Sequence, residues 1–128
     1  MDVTTRTCIA DIRTVAVPVR DQDRALEFYV GTLGFETRLD GPFGAGRWVE
    51  VAPPRSTTSV ALTAAADGAA VGVDTGIRFT TTDAGADHAY LRSHGVDTDP
   101  EVLRMPHVPP MFTFRDVDGN NLVIVESA

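Results

Sequence analysis

The sequence has one cysteine, no lysine and no long apolar segment. Because a lone Cys8 cannot form a disulfide within the chain, cysteine usage fits a reducing compartment. The apolar runs are only a few residues long, far short of the roughly 20 needed to cross a bilayer. The first residues also lack the basic and apolar segments of an export signal. We therefore expect a cytoplasmic protein that does not contact a membrane.

Charge of one sign dominates the chain. There are 18 acidic residues against 11 basic ones, which gives a formal net charge of −7. An acidic chain without a basic stripe argues against binding to nucleic acid or to an anionic membrane. Total charge says little about small ligands, since these respond to the local field of a pocket. Small molecules are therefore the partners that we expect.

The first half of the chain predicts a strand followed by a helix. Residues 14–21, "TVAVPVRD", place valine at every second position, which is typical of a half-buried strand. Asp21 is a suitable N-cap for a helix over residues 22–33, where apolar residues recur at helical spacing. Gly34 is a natural end for this helix.

The second half repeats this order. Residues 76–83, "GIRFTTTD", alternate in the same way, and Asp83 precedes a second helical segment that ends at Gly95. Asp83 lies 62 residues after Asp21, and both occupy the joint between strand and helix. Three further strands are predicted after each helix: "FETRLD", "RWVEVA" and "TSVALTA" in the first half, and "VDTD", "MFTFRD" and "NLVIVE" in the second.

Two matching copies of the same element order indicate an internal duplication. The sequence predicts an α+β protein of two βαβββ repeats, at about residues 12–63 and 76–126, joined by a Gly/Ala-rich linker. Neither half can bury enough surface alone, so we expect residues 1–128 to form a single domain. Helices on the outside of two curved sheets would give an incomplete, U-shaped β-barrel with a concave inner face for a ligand.

The chain resembles the vicinal oxygen chelate superfamily, which includes glyoxalase I, extradiol dioxygenases and bleomycin-resistance proteins. The resemblance rests on "VAVPVRDQDRALEFYVGTLGFE" and on "FRDVDGNNLVIVE", where Val117 replaces the proline of the family's usual turn. It runs from about Ile12 to Glu126. It implies a homodimer, because members commonly pair and sometimes form pockets from both chains. It does not imply one function, since the superfamily hosts many activities.

Metal-dependent members of the superfamily carry His or Glu at four inward positions, on the first and last strands of each repeat. The matching positions in this chain are Thr14, Ala61, Gly76 and Val123. None of these is an ordinary ligand for Zn, Ni, Fe or Mn. A register shift of one residue gives no better set: Arg13, Val60, Ile77 and either Leu122 or Ile124. We therefore predict no metal site and no cofactor.

The three histidines do not suggest a metal site either. His88 lies on the sheet-facing side of the second predicted helix, which favours a packed, hydrogen-bonded residue. His94 lies in the last turn of that helix, where the dipole favours a cation. His107, in the proline-rich segment "RMPHVPPM", remains a candidate for ligand binding or proton transfer.

Arg78 is the most informative residue on the predicted inner face. The alternation that turns Ile77 and Phe79 toward the helix turns Arg78 inward. An inward arginine needs an anion as partner, because an unpaired buried charge is costly. That partner is either a ligand oxyanion or an internal carboxylate, of Glu50 or Asp74.

Other candidate ligand-binding residues follow from neighbouring strands. Trp48 and Glu50 share one face of "RWVEV", so Trp48 is either a stacking wall or a core residue, and Glu50 is a candidate general base. Met111, Phe112 and Phe114 line either the hollow or the core. Thr14, which begins the first strand and is predicted to face inward, completes the set.

The leading functional hypothesis is metal-free binding of a small anionic or aromatic molecule in the concave sheet. The alternative is a lyase, isomerase or dioxygenase-type enzyme of the same superfamily that uses Glu50 or His107, with or without a displaced metal. A third possibility is a partner-binding domain whose hollow is filled by its own side chains.

Overall fold

The computed structural model describes residues 6–127, in which eight strands and two helices follow the order predicted for two repeats. The first repeat contains β1 (Thr14–Val19), α1 (Gln22–Leu26) with a π-helical extension (Glu27–Thr32), β2 (Glu36–Phe43), β3 (Gly46–Ala52) and β4 (Ser59–Ala64). The second repeat contains β5 (Asp74–Thr81), α2 (Ala84–Ser93), β6 (Leu103–Met105), β7 (Val108–Arg115) and β8 (Asn121–Glu126).

The strands form two open four-stranded sheets of identical topology. Sheet A has the order β1-β4-β3-β2, and sheet B has the order β5-β8-β7-β6. The first and last strands of each repeat are parallel: Ala16 lies opposite Ala61 in sheet A, and Arg78 lies opposite Val123 in sheet B. Because both positions shift by 62 residues, the duplication seen in the sequence is retained in the pairing. The predicted α+β fold of two βαβββ repeats is confirmed.

The predicted helix boundaries are also confirmed. The Asp21 carboxylate accepts hydrogen bonds from the backbone N–H groups of Asp23 and Arg24 at the start of α1. Asp83 accepts from the N–H of Ala86 in the same way. Each side chain satisfies amide groups that lack a partner in the first helical turn. Gly34 and Gly95 follow the helices with φ of 81° and 74°, a conformation that glycine adopts without strain.

The sequence predicted a regular helix over residues 22–33, but the first helix is α-helical only from Gln22 to Leu26. After Leu26 it widens into a π-helical turn, in which the N–H of Leu33 donates to the carbonyl of Phe28. The extra residue in this turn directs the adjacent side chains Phe28 and Tyr29 into the core together. Apolar spacing alone does not reveal such a turn, because it is selected by tertiary packing.

The predicted strand "VDTD" was wrong. Of that segment only Thr98 makes an isolated bridge, to Phe114. The sixth strand is Leu103–Met105 instead, which overlaps the start of the proline-rich segment that contains His107. This short strand exists because it pairs with β7, through Leu103 opposite Met111, and so tertiary context outweighed local propensity.

One hydrophobic core joins the two repeats on the helix-facing side of both sheets. The Phe28 ring of the first repeat stacks against Phe114 of the second, with centroids 6.4 Å apart, and Phe35 packs edge-on against Phe79 at 5.3 Å. The opposite faces of the sheets lie away from this core. No helix within residues 6–127 is long and apolar enough to pass through a bilayer.

Candidate functional site

The open face of sheet A carries a trough of about 380 Å³. Alternation along β3 creates it: Val49 and Val51 point into the core, and Trp48 and Glu50 therefore point to the opposite face. The trough is lined by Arg13, Thr14, Leu39, Phe43, Trp48 and Glu50, among others. We call this cavity the sheet-A trough.

Glu50 forms the centre of the polar network in the sheet-A trough. Its Oε1 accepts a hydrogen bond of 2.7 Å from the Ser59 hydroxyl, and its Oε2 accepts one of 2.7 Å from the Trp48 indole N–H. The Arg13 guanidinium lies 3.7 Å from Oε2. The hydrogen bonds from Ser59 and Trp48, followed by the charge of Arg13, lower the pKa of Glu50 although burial opposes them. Glu50 is therefore a stable anion and a weak base.

Trp48 presents an aromatic surface whose orientation is held by that hydrogen bond. The Phe43 ring lies beside it with centroids 5.5 Å apart and planes inclined by 56°. Phe43 is 67% exposed, so this apolar surface is open to solvent. Thr14 lies at the same trough, where its hydroxyl donates to the carbonyl of Ser59. Three of the predicted ligand-binding residues, Thr14, Trp48 and Glu50, thus come together.

Arg78 lies in a different cavity. A groove of about 590 Å³ separates sheet A from the edge of β5, and we call it the seam groove. Arg78 and Arg55 both line it, above apolar side chains that include Val60 and Phe79. Arg78 is exposed, so the expectation that it is buried and must have a partner was wrong. Within residues 6–127 it forms no ion pair with Asp74 or Glu50, which the sequence offered as internal partners.

The aromatic residues of β7 face away from the open side of sheet B. Phe112 and Phe114 are 3% and 1% exposed and belong to the core, where the His88 ring meets Phe112 edge-on. Their inclusion in the ligand-binding set was a wrong choice of face, because the register of β7 turns Met111 and Thr113 to the open side instead. Neither phenylalanine remains in the candidate site.

The histidines lie away from the sheet-A trough. His107 is exposed in the two-residue turn between β6 and β7, with a φ of 65° that is unusual for a residue with a side chain. The Nε2 atom of His88 lies 2.7 Å from the carbonyl oxygen of Asp99, as expected for a packed residue. The Nδ1 atom of His94 lies 2.9 Å from the carbonyl oxygen of Tyr90.

Sequence reasoning did not identify several residues of these cavities, among them Leu39, Phe43, Ser59 and Arg55. Ser59 lies two residues before Ala61 on the same strand, so period-two alternation is a signal that would have placed it on the open face. Arg55 lies in the segment between β3 and β4, where no periodicity applies. Its position over the seam groove is decided by tertiary structure.

The residues at the superfamily's metal positions do not fit a transition metal ion. Thr14, Ala61 and Val123 supply no imidazole, thiolate or carboxylate. Gly76 has no side chain and lies in an irregular part of β5, with a φ of 71°. Across residues 6–127 no three His, Cys, Asp or Glu side chains are grouped closely enough to hold a metal ion.

Known proteins match this chain over nearly its full length. The profile of the Glyoxalase/Bleomycin resistance protein/Dioxygenase superfamily matches residues 11–124. The crystal structure of TnmS3, an antibiotic binding protein from Streptomyces sp. CB03234, is 33% identical with a TM-score of 0.85, over 96% of this chain and 100% of that one.

Two further relatives show the same extent of similarity. A superfamily member from Sphaerobacter thermophilus DSM 20745 is 36% identical with a TM-score of 0.87, over 94% of this chain and 100% of its own. The uncharacterized protein YetH of Bacillus subtilis (strain 168) is 31% identical over 123 residues, which cover 92% of this chain and 99% of YetH. Fold, topology and these matches agree that the chain belongs to the Glyoxalase/Bleomycin resistance protein/Dioxygenase superfamily.

Proposed function

We propose that this protein binds a small, partly planar aromatic molecule in the sheet-A trough, without a metal ion. The observation that carries the proposal is the hydrogen bond from the Trp48 indole to Glu50, which orients the ring beside the exposed Phe43. A wall that is already ordered loses little conformational entropy when a ligand stacks on it. Aromatic rings also supply a large contact area for their size.

The similarity to TnmS3 supports a binding role of this kind, since that protein is described as antibiotic binding. Both chains share the superfamily fold, and at one third identity their cavities are expected to differ in detail. We extend only the class of ligand, a small organic molecule, and infer the preference for a flat ring from Trp48 and Phe43. A ligand anion, which is one of the two partners that the sequence allowed for Arg78, would be bound in the seam groove and not in the sheet-A trough.

The enzymatic alternative has less support from the geometry. A general base works best when its pKa lies near the working pH. The pKa of Glu50 is lowered by its donors Ser59 and Trp48, which makes this carboxylate a poor proton acceptor. His107, the other candidate, lies exposed in the turn between β6 and β7, away from the residues that line the sheet-A trough.

A homodimer and a cytoplasmic location are part of the same proposal. Two large apolar side chains of β6, Leu103 and Met105, are exposed. A second copy related by two-fold symmetry would cover this apolar area, which a monomer leaves in water.

The position of the chain's one tryptophan gives a direct test. Trp48 emission should be quenched on titration with planar aromatic antibiotics such as daunorubicin and tetracycline, and calorimetry should give a matching affinity. Phe43→Ala should weaken binding about fivefold, since an exposed stacking partner is worth about 1 kcal/mol. Tyr90→Ala, which removes an exposed aromatic ring from α2, is the matched control and should leave affinity unchanged.

Two results would contradict the proposal. One is the absence of calorimetric binding across an aromatic panel at millimolar concentration. The other is equal loss of affinity in the Phe43→Ala and Tyr90→Ala variants, because the ligand would then bind elsewhere.

A further inference from the structure

The seam groove is a second cavity, separate from the sheet-A trough. It is bounded by β1, β4 and the preceding segment on one side and by β5 on the other. The two sets of lining residues do not overlap, although the hydroxyl of Ser59, which lines the seam groove, donates to Glu50 of the sheet-A trough. Since β5 pairs with β8 on one side only, alternate backbone N–H groups of β5 point toward the groove.

The charge of the seam groove is opposite to that of the whole chain. The protein has a net charge of −7, yet the described residues that line this groove include Arg55 and Arg78 and no Asp or Glu. Within residues 6–127 neither arginine forms a salt bridge, whereas Arg47 binds both Asp23 and Asp40. Both charged side chains that line the groove are therefore cationic, although the chain as a whole is acidic.

Side-chain hydrogen bonds hold the backbone of both walls that carry these arginines. On the sheet-A side, the Arg38 guanidinium donates to the carbonyls of Pro53 and Ser56 and so holds the segment that contains Arg55. On the sheet-B side, Gly76 lets β5 depart from regular pairing, and the Thr75 hydroxyl secures the irregularity by donating 2.7 Å to the carbonyl of Asn121. The backbone on each side is thus held by the fold before any ligand binds.

The base of the groove is apolar. Val15 and Val60 come from sheet A, and Ile77 and Phe79 come from sheet B. An apolar base between two cationic walls suits a ligand with an apolar body and one anionic end. A volume of about 590 Å³ accommodates a small organic acid.

We propose that the seam groove is a binding site for a monoanionic organic acid, whose carboxylate or sulfonate pairs with Arg55 and Arg78 while its apolar part lies on Val60 and Phe79. This site goes beyond the aromatic binding proposed for the sheet-A trough and does not depend on it. Arg55 and Arg78 set the charge preference, and the apolar base sets the affinity for the body of the ligand.

A pair of fluorescent probes that differ in charge tests this proposal. Dansylglycine carries a carboxylate, and dansylamide is its neutral counterpart. Dansylglycine should bind with increased emission, and dansylamide should bind about tenfold or more weakly, because a hydrogen-bonded charge pair contributes about 1.5 to 3 kcal/mol. Raising the salt concentration should weaken dansylglycine binding and leave dansylamide unchanged.

Variants locate the site. Arg55→Gln and Arg78→Gln should each weaken dansylglycine binding about tenfold and leave dansylamide unaffected. Arg92→Gln, which removes an exposed arginine from α2, is the matched control and should change neither probe. Thermal unfolding of each variant shows that it is folded. Arg55 lies outside the strands, so its variant tests the site even if Arg78→Gln fails to fold.

Three outcomes would overturn the proposal. The first is equal affinity for the two probes. The second is an equal effect of Arg92→Gln and Arg55→Gln, which would show a general response to charge. The third is a change of sedimentation mass in the groove variants, which would show that a second copy of the chain occupies this surface. Daunorubicin quenching of Trp48 is measured in parallel, so failure in the seam groove is distinguishable from failure in the sheet-A trough.

Discussion

The phenol of Tyr29 donates a hydrogen bond of 2.7 Å to Oδ2 of Asp116, which lies 87 residues further along the chain. Tyr29 belongs to the π-helical turn of the first repeat, and Asp116 begins the turn between β7 and β8 in the second. Both side chains are buried. Asp116 also accepts from the Asn120 amide and from the backbone N–H groups of Asp118 and Asn120, so one carboxylate organises this turn and attaches it to the other repeat.

Tyr29→Phe should lower the free energy of unfolding by about 1 to 3 kcal/mol, because it leaves a buried carboxylate oxygen short of one donor. Urea unfolding followed by circular dichroism measures this change. Tyr90→Phe is the control: its hydroxyl also donates to a carbonyl, that of Thr32, but the residue is exposed. Equal destabilisation by the two substitutions would contradict a special role for the buried pair.

The same pair predicts a dependence of stability on alkaline pH. Burial, and then the charge of Asp116, raise the pKa of Tyr29 far above its ordinary value of 10.0. The folded state therefore keeps a proton that the unfolded state releases, so the contribution of Tyr29 is complete below pH 10.0 and is lost as the pH rises further. Unfolding free energies measured from about pH 8 to about pH 11 should fall less steeply in Tyr29→Phe than in wild type. Identical slopes would contradict the raised pKa.

Asn120 is a second buried connection between the repeats. Its amide donates 2.9 Å to the carbonyl of Pro18, and its Oδ1 accepts from the N–H groups of Gly72 and Val73 in the linker. Asn120→Ala should destabilise the fold by about 2 to 4 kcal/mol, since it removes several buried hydrogen bonds at once. Asn121→Ala, the neighbouring half-buried amide, should cost less than about 1.5 kcal/mol. The reverse order in thermal or urea unfolding would refute this assignment.

Trp48 should report the protonation of Glu50. Because the donors Ser59 and Trp48 lower the pKa of Glu50 in the folded state, its stabilising contribution is present above the ordinary pKa of 4.5 and is lost as the pH falls through the lower folded value. Trp48 emission should therefore change with a midpoint below pH 4.5 in wild type and lose this transition in Glu50→Gln. Glu36→Gln removes a carboxylate outside the trough and should preserve the transition. A midpoint above pH 4.5 would contradict the proposed network.

Incubation with Zn, Ni, Fe or Mn should leave less than one equivalent of metal on the protein after gel filtration. The reason is that Thr14, Ala61, Gly76 and Val123 supply no ordinary metal ligand. Elemental analysis of the eluted protein measures the ratio. A stoichiometric ion that a chelator removes, together with a change in melting temperature, would refute the metal-free proposal.

Local chemistry in the sequence was sufficient for the framework. Alternating valines, the caps Asp21 and Asp83, and the glycines after each helix predicted the elements, because each depends on residues close by in the chain. The offset of 62 residues predicted the shared topology and placed Ala61 and Val123 at equivalent positions in the two sheets. The absence of His and Glu from the four metal positions of the superfamily was also readable from residue identity alone.

Tertiary structure decided which residues meet. Alternation shows that Phe112 and Phe114 share a face of β7, but the pairing register and the helices determine that this face is core. The candidates predicted around one hollow do not share one cavity: Trp48 and Glu50 line the sheet-A trough, and Arg78 lines the seam groove. Such contacts join side chains distant in sequence, and their energies depend on burial and partners that no local pattern specifies.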